Sequence, residues 1–236
     1  MKSYKTKLLK NNTIASDTIA LRLDKPKGFN FIAGQYIDLY LVGQSDLESW
    51  ESVRTLTISS TPSDDFIEVF YRYRDSEFKK RVNQLGLGID MAIEGPYGRF
   101  VMPTPSQAVA LIAGGVGVAP FVSMIKDDLA KDCNRSIYLF YSNHTTEEAA
   151  YHLEMKNLAT KHPNFHYTPT LTGSVSVEGV ERGYIDQVMI EKYISNTSEY
   201  IFYICGTPDM VLGLRLMLSH MGISSSQVQT ESFDGY

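Results

Sequence analysis

The chain holds 236 residues at a net charge of -5, enough for one large domain or, on the better reading, two of moderate size. With 43% hydrophobic and 21% charged residues and no basic stripe, it has an ordinary soluble composition and no electrostatic footprint for nucleic acid. Two cysteines, Cys133 and Cys205, are too few for a disulfide framework or a four-cysteine iron–sulfur cluster, and a reducing cytoplasm is the expected setting.

The N-terminal MKSYKTKLLKNN carries lysines with no apolar run behind them, so no secretory leader is expected. Over residues 1 to about 102, short alternating stretches follow one another between turn signals: TIALRL, QYIDLYLV, RTLTISS, FIEVFYRY and IDMAIEG. Successive side chains of an extended chain face opposite ways, and this rhythm predicts an antiparallel barrel or sandwich. In RTLTISS, Thr55, Thr57 and Ser59 share one side and Leu56, Ile58 and Ser60 the other, with Arg54 at the head. Such a hydroxyl row is either a wet strand face with a solvated arginine or a ligand shelf on which the guanidinium forks onto phosphate. SEFKKRVNQLG predicts a short helix, with Ser76 as cap, Phe78, Val82 and Leu85 on one face, and Gly86 as the stop. EGPYGRF, at 94 to 100, closes this half with a tight turn pair.

MPTPSQ, at 102 to 107, reads as a connector, and the expected division is 1–102 and 103–236. Beyond it, strand-like AVALIA, SIYLFYS, FHYTPTL and YIFYIC alternate with helical PFVSMIKDDLAK, TEEAAYHLEMKNLATK and TPDMVLGLRLMLSHMG, which predicts a parallel sheet with helices on its faces. The uncharged run AVALIAGGVGVAPFVSMI is as long as a membrane helix, but its grammar is strand, glycine turn and helix, and no membrane insertion is expected. LIAGGVGVAPF offers backbone N–H groups and a helix terminus to a diphosphate, or else simply packs a helix close to a strand. In YICGTPDMV, Cys205 stands at the carboxyl end of a buried strand, where open parallel sheets bind ligands, although a lone buried cysteine is usually a small hydrophobe. None of the five histidines has a metal-site spacing with cysteine or carboxylate.

The order of these motifs, R-x-x-T, short helix, GPYG, GGVGVAP and CGTPDMV, resembles the ferredoxin-NADP reductase family of flavoproteins along essentially the whole chain. The resemblance implies a barrel that holds FAD, a parallel domain that holds NAD(P)H, and hydride transfer to flavin followed by electron delivery to a separate acceptor. That acceptor would be a ferredoxin, a flavodoxin, an oxygenase component or a small oxidant. Carried over by position, Arg54 matches the arginine that pairs with the flavin phosphates, and Thr57 the hydroxyl beside the hydride-receiving ring nitrogen. Thr55, Leu56, Ser59 and Ser60 belong to the same motif, and Tyr73, Arg74 and Ser76 take the place of the second phosphate-contacting segment. Gly114, Gly115, Gly117 and Pro120 match the coenzyme diphosphate loop; Cys205 and Gly206, followed by Asp209 and Met210, match the segment beside the nicotinamide. Phe233, in the terminal ESFDGY, matches the aromatic tail near the flavin.

Three departures stand out. Leu56 replaces the family's usual aromatic residue; Tyr73, Arg74 and Asp75 replace the glycine before the phosphate-helix serine; and Ser142, Asn143 and His144 stand where many NADPH-using relatives carry arginine. The first bears on flavin affinity and redox poise, the second on FAD against FMN, and the third on NADH against NADPH with a slight lean to NADPH. The competing reading, a flavin- or nucleotide-binding sensor subunit without turnover, rests on Leu56 and on this coenzyme loop.

Overall fold

The computed structural model describes residues 2–43, 51–74, 76–173 and 177–233. Asp75 and tail residues 234–236 lie outside them. The first half is a six-stranded antiparallel sheet of order β4-β3-β6-β1-β2-β5, built from β1 (Ser3–Ala15), β2 (Thr18–Asp24), β3 (Tyr36–Leu41), β4 (Val53–Thr57), β5 (Phe66–Arg72) and β6 (Asp90–Tyr97). The sheet curls until its two outer strands meet at an Ile58–Val69 bridge. Leu8, Leu21, Ile37, Leu39, Val69 and Ile93 fill the interior, and helix α1 (Glu77–Gln84) plugs one end with Phe78 and Val82. The Ser76 hydroxyl accepts from the Lys79 N–H, as the cap reading requires.

The second half is a six-stranded parallel sheet of order β10-β9-β8-β7-β11-β12. Its strands are β7 (Ala108–Gly114), β8 (Ile137–Asn143), β9 (Phe165–Leu171), β10 (Glu181–Arg182), β11 (Tyr200–Gly206) and β12 (Val228–Ser232). Helices α2 (Ala119–Ala130) and α3 (His152–Lys161) cover one face, and α4 (Gln187–Tyr193) and α5 (Pro208–His220) the other. The uncharged run at 108–125 resolves into β7, a 3-10 turn over Gly115–Val118 and α2. No helix among the described residues is long and apolar enough to cross a membrane.

Barrel and sheet share one core: Ala20, Ala33, Phe70 and Phe100 pack in the same cluster as Phe121 and Met124 of α2. The buried Ser123 hydroxyl donates to the Ser60 carbonyl at 2.6 Å, and the Tyr203 hydroxyl to the Val101 carbonyl at 2.8 Å. The crevice between the halves therefore has fixed walls.

Three local expectations are corrected, and one stretch with no predicted element gains one. MKSYKTKLLKNN forms most of β1, which lies between β6 and β2 with Thr6 and Leu8 inward and Lys5 and Lys7 outward. RTLTISS is a strand only to Thr57, because Ser59 and Ser60 turn in to close the barrel. Gly86 does not end α1 through a left-handed residue; Leu85, in extended conformation, is its cap. TEEAAYHLEMKNLATK becomes helical only at His152, since Tyr151 takes a left-handed φ of 59° and the preceding residues are drawn onto the barrel.

Candidate active site

Two strands and one helix of the barrel concentrate positive charge. Arg54 leaves β4 beside α1, its guanidinium 5.4 Å from the Phe78 ring, and its Nη1 donates to the Val53 carbonyl at 2.6 Å. Lys79, in the first turn of α1, donates from Nζ to the Arg72 carbonyl at 2.7 Å and lies 5.4 Å from the Tyr71 ring. Burial, then the neighbouring Arg54 and Arg74, pull the Lys79 ammonium below the usual lysine range. Three cations at the capped start of a helix repel one another, and a bound polyanion would offset that cost. Arg74 itself is exposed, as is Tyr73 before it.

Beyond Arg54, Thr55 points outward and bonds Asp38, and Leu56 packs half-buried against the barrel core. Thr57 is buried, and its Oγ1 has no partner. It lies in one row with Tyr36 and Tyr97, whose rings are 5.8 Å apart and whose Tyr97 hydroxyl is also unpartnered. Ser59 and Ser60 differ: the Ser59 hydroxyl donates to the Glu68 carbonyl at 3.1 Å, and the Ser60 hydroxyl accepts from the Glu68 N–H at 3.0 Å.

A cavity of about 610 Å³ opens at the carboxyl ends of the parallel strands. Gly114, Gly115, Ser142, Asn143, His144, Asp209 and Met210 line it, as the motif reading expects, and Arg74 reaches it from the barrel. Arg72, Thr172, Tyr184 and Thr207 line it too, none of them singled out by the sequence reading, and so does Glu148, which the sequence offers only as a carboxylate near the coenzyme loop. Among the lining residues, Arg72 and Arg74 are the arginines, both from the barrel; no lysine is present. Gly115 adopts a left-handed φ of 53°, which favours glycine. Gly117 and Pro120 are buried behind the turn, where a Cβ on Gly117 would collide with the Cys205 carbonyl. Asn143 is buried with Oδ1 unpartnered, whereas His144 is exposed.

Cys205 and Gly206 lie buried at the end of β11, against β12. Burial first, then Glu231, holds the Cys205 thiol well above its usual range, so it stays protonated. Glu231 is Cys205's register partner; its Oε2 is buried without a partner, and burial raises its carboxyl to about 7. The Phe233 N–H donates to the Gly206 carbonyl at 3.1 Å, and its ring packs on the core shared by the two halves.

A charged shelf on one half and a nucleotide-sized cavity on the other define a two-domain oxidoreductase built for two dinucleotides. An FAD-binding domain model matches residues 3–101, and an oxidoreductase NAD-binding domain model matches residues 111–215. The chain is 28% identical to the CDP-6-deoxy-L-threo-D-glycero-4-hexulose-3-dehydrase reductase of Yersinia pestis, across 98% of this chain and 69% of that protein. It is 27% identical to the glycine betaine monooxygenase reductase subunit of Chromohalobacter salexigens, across 92% of this chain and 60% of that one. A Neisseria gonorrhoeae ferredoxin NADP+ reductase solved with FAD and NADP has the same fold at a TM-score of 0.85 and 19% identity, covering 98% of this chain and 99% of its own. The chain belongs to the ferredoxin-NADP reductase-like flavoprotein reductases, which use FAD and NAD(P)H.

Proposed function

We propose that the protein oxidises NAD(P)H and passes the electrons through FAD to a separate acceptor, an oxygenase component or a small carrier of the ferredoxin or flavodoxin kind. The relatives' names support an external acceptor, because several are reductase components of oxygenases. When bound, FAD supplies the conversion between two-electron and one-electron chemistry.

The observation that carries this reading is the crowding of Arg54, Arg74 and Lys79 around the start of α1, a site shaped for a flavin diphosphate. Ser76 and Tyr73 flank it. The unpartnered Thr57 hydroxyl is a free hydrogen-bonding group for the flavin ring, next to the aliphatic surface of Leu56 and the outward Thr55. Ser59 and Ser60 hold the strand end that positions Thr57. This assigns residues 1–102 to flavin and 103–236 to coenzyme.

For the coenzyme, Arg72 and the N–H groups of Gly114 and Gly115 take the diphosphate, with Gly117 and Pro120 shaping the turn behind them. Tyr184, 82% exposed at the cavity wall, offers a ring face to adenine. Ser142, His144 and Thr172 surround the ribose end; with no carboxylate immediately after β8, they favour NADPH slightly. Asp209 and Met210 border the nicotinamide end. There the protonated Cys205 thiol fixes ring position, Glu231 holds or releases a proton at Oε2, and Phe233 lies across the crevice. Turnover of ferricyanide or cytochrome c by the FAD-loaded protein tests the proposal. NAD(P)H-dependent reduction is expected, and no reduction with FAD stably bound would refute it.

A further inference from the structure

We propose that Glu148 is a built-in competitor of the coenzyme, a carboxylate that occupies Arg72 and must release it when the coenzyme binds. The inference rests on the reading of the cavity as the coenzyme site. Arg72, from β5, and Glu148, from the segment before α3, meet across the crevice with Nη1 to Oε2 at 3.0 Å, and both line the cavity. Their side chains are 20% and 25% exposed, so the pair is open to a ligand. The other arm of the guanidinium stands over the glycine turn: a Cβ on Gly115 would lie 3.9 Å from Arg72 Nη2. One cation thus serves two anions, the carboxylate already present and the diphosphate on its way in.

Glu148 is not what holds the domains together here. The Ser16 N–H donates to the Glu147 carbonyl at 2.7 Å, the Tyr151 hydroxyl donates to Glu68 Oε1 at 2.6 Å, and the Tyr151 ring packs 5.4 Å from Phe70. These contacts, with the shared core, anchor the 147–151 segment without the ion pair. Glu148 is therefore a positioning residue acting through Arg72. It keeps the guanidinium aimed at the crevice while the site is empty, and it limits affinity so that the oxidised coenzyme departs.

The test is calorimetric titration of the oxidised, FAD-loaded protein with NADP+ and with NAD+. Neither reacts with oxidised flavin, so binding is read without turnover. Glu148→Gln should tighten binding about two- to fivefold, the range set by a partly exposed ion pair. Arg72→Met should weaken it, and adding Glu148→Gln to Arg72→Met should bring no further gain. The advantage of Glu148→Gln should also shrink as salt rises, because exposed charges are screened. Glu148→Ser, which cannot hold Arg72, should shift affinity in the same direction. Unchanged or weaker binding in Glu148→Gln or Glu148→Ser, with Arg72→Met weakened and FAD content normal, overturns the inference alone. If the parent binds neither coenzyme, the reading of the cavity itself fails.

Discussion

Replacing Glu231 by glutamine removes a carboxyl whose neutral form the fold favours up to about pH 7. Burial raises its pKa from the ordinary 4.5 to about 7, and Oε2 has no hydrogen-bond partner. Because the folded value is the higher, the folded chain binds this proton more tightly than the unfolded chain does. The stabilisation is fully present below pH 4.5 and is lost as pH rises through about 7. That gap corresponds to a ceiling of about 3 kcal/mol, and partial exposure reduces it to about 1 to 3 kcal/mol. Urea unfolding of parent and Glu231→Gln, at fixed FAD and at several pH values, measures it. The variant should gain on the parent as pH rises from 4.5 to 7, then run parallel to it. With a slope of about 2 kcal/mol/M, the midpoint difference should grow by roughly 0.5 to 1.5 M across that window. Curves parallel throughout would show that Glu231 titrates as an ordinary surface carboxylate, and its role as a proton-holding group would fall with that result.

Arg54→Ala should lower FAD affinity about ten- to a hundredfold, the loss of a charge-assisted phosphate contact of roughly 1.5 to 3 kcal/mol; fluorescence titration of the apoprotein with FAD measures it, and parent-like affinity would mean a merely solvated arginine. Cys205→Ala should slow flavin reduction in stopped flow while coenzyme affinity stays near the parent's, since a buried side chain packed behind the nicotinamide end sets ring position more than binding. A parent-like rate would make the cysteine core packing only. His144→Arg should raise kcat/KM for NADPH relative to NADH, because it adds a fixed charge at the ribose end; an unchanged ratio would place this loop away from the adenosine.

Both sheets were legible because their signals are local. FIEVFYRY carries the β-branched and aromatic residues of a strand and is buried from Ile67 to Tyr71, and AVALIA, YIFYIC and the glycine turn have the unbroken apolarity of a sheet covered on both faces. β1 was obscured by its outward lysines, although Thr6 and Leu8 alternate with Lys5 and Lys7 in the same stretch. The start of α3 was misread because Glu147 and Glu148 look like a helical first turn, while the docking of that segment on the barrel decides its conformation. Of the candidate site, the ends of strands carried readable motifs: Arg54, Gly114, Gly115 and Cys205. Lys79, Arg72, Tyr184 and Glu231 did not, since nothing near them in sequence distinguishes a surface charge or aromatic from one aimed into a crevice. Only the fold places Lys79 beside Arg54 and Arg74, or Glu231 beside Cys205.

Anaerobic titration of the purified, FAD-loaded protein with NADPH, and in parallel with NADH, addresses the central claim most directly. At least one of the two should bleach the visible flavin band with an end point near one equivalent per flavin, and an added one-electron oxidant should restore the band. A flavin that stays oxidised in excess of both coenzymes would contradict the account and leave the fold as a binding module without turnover.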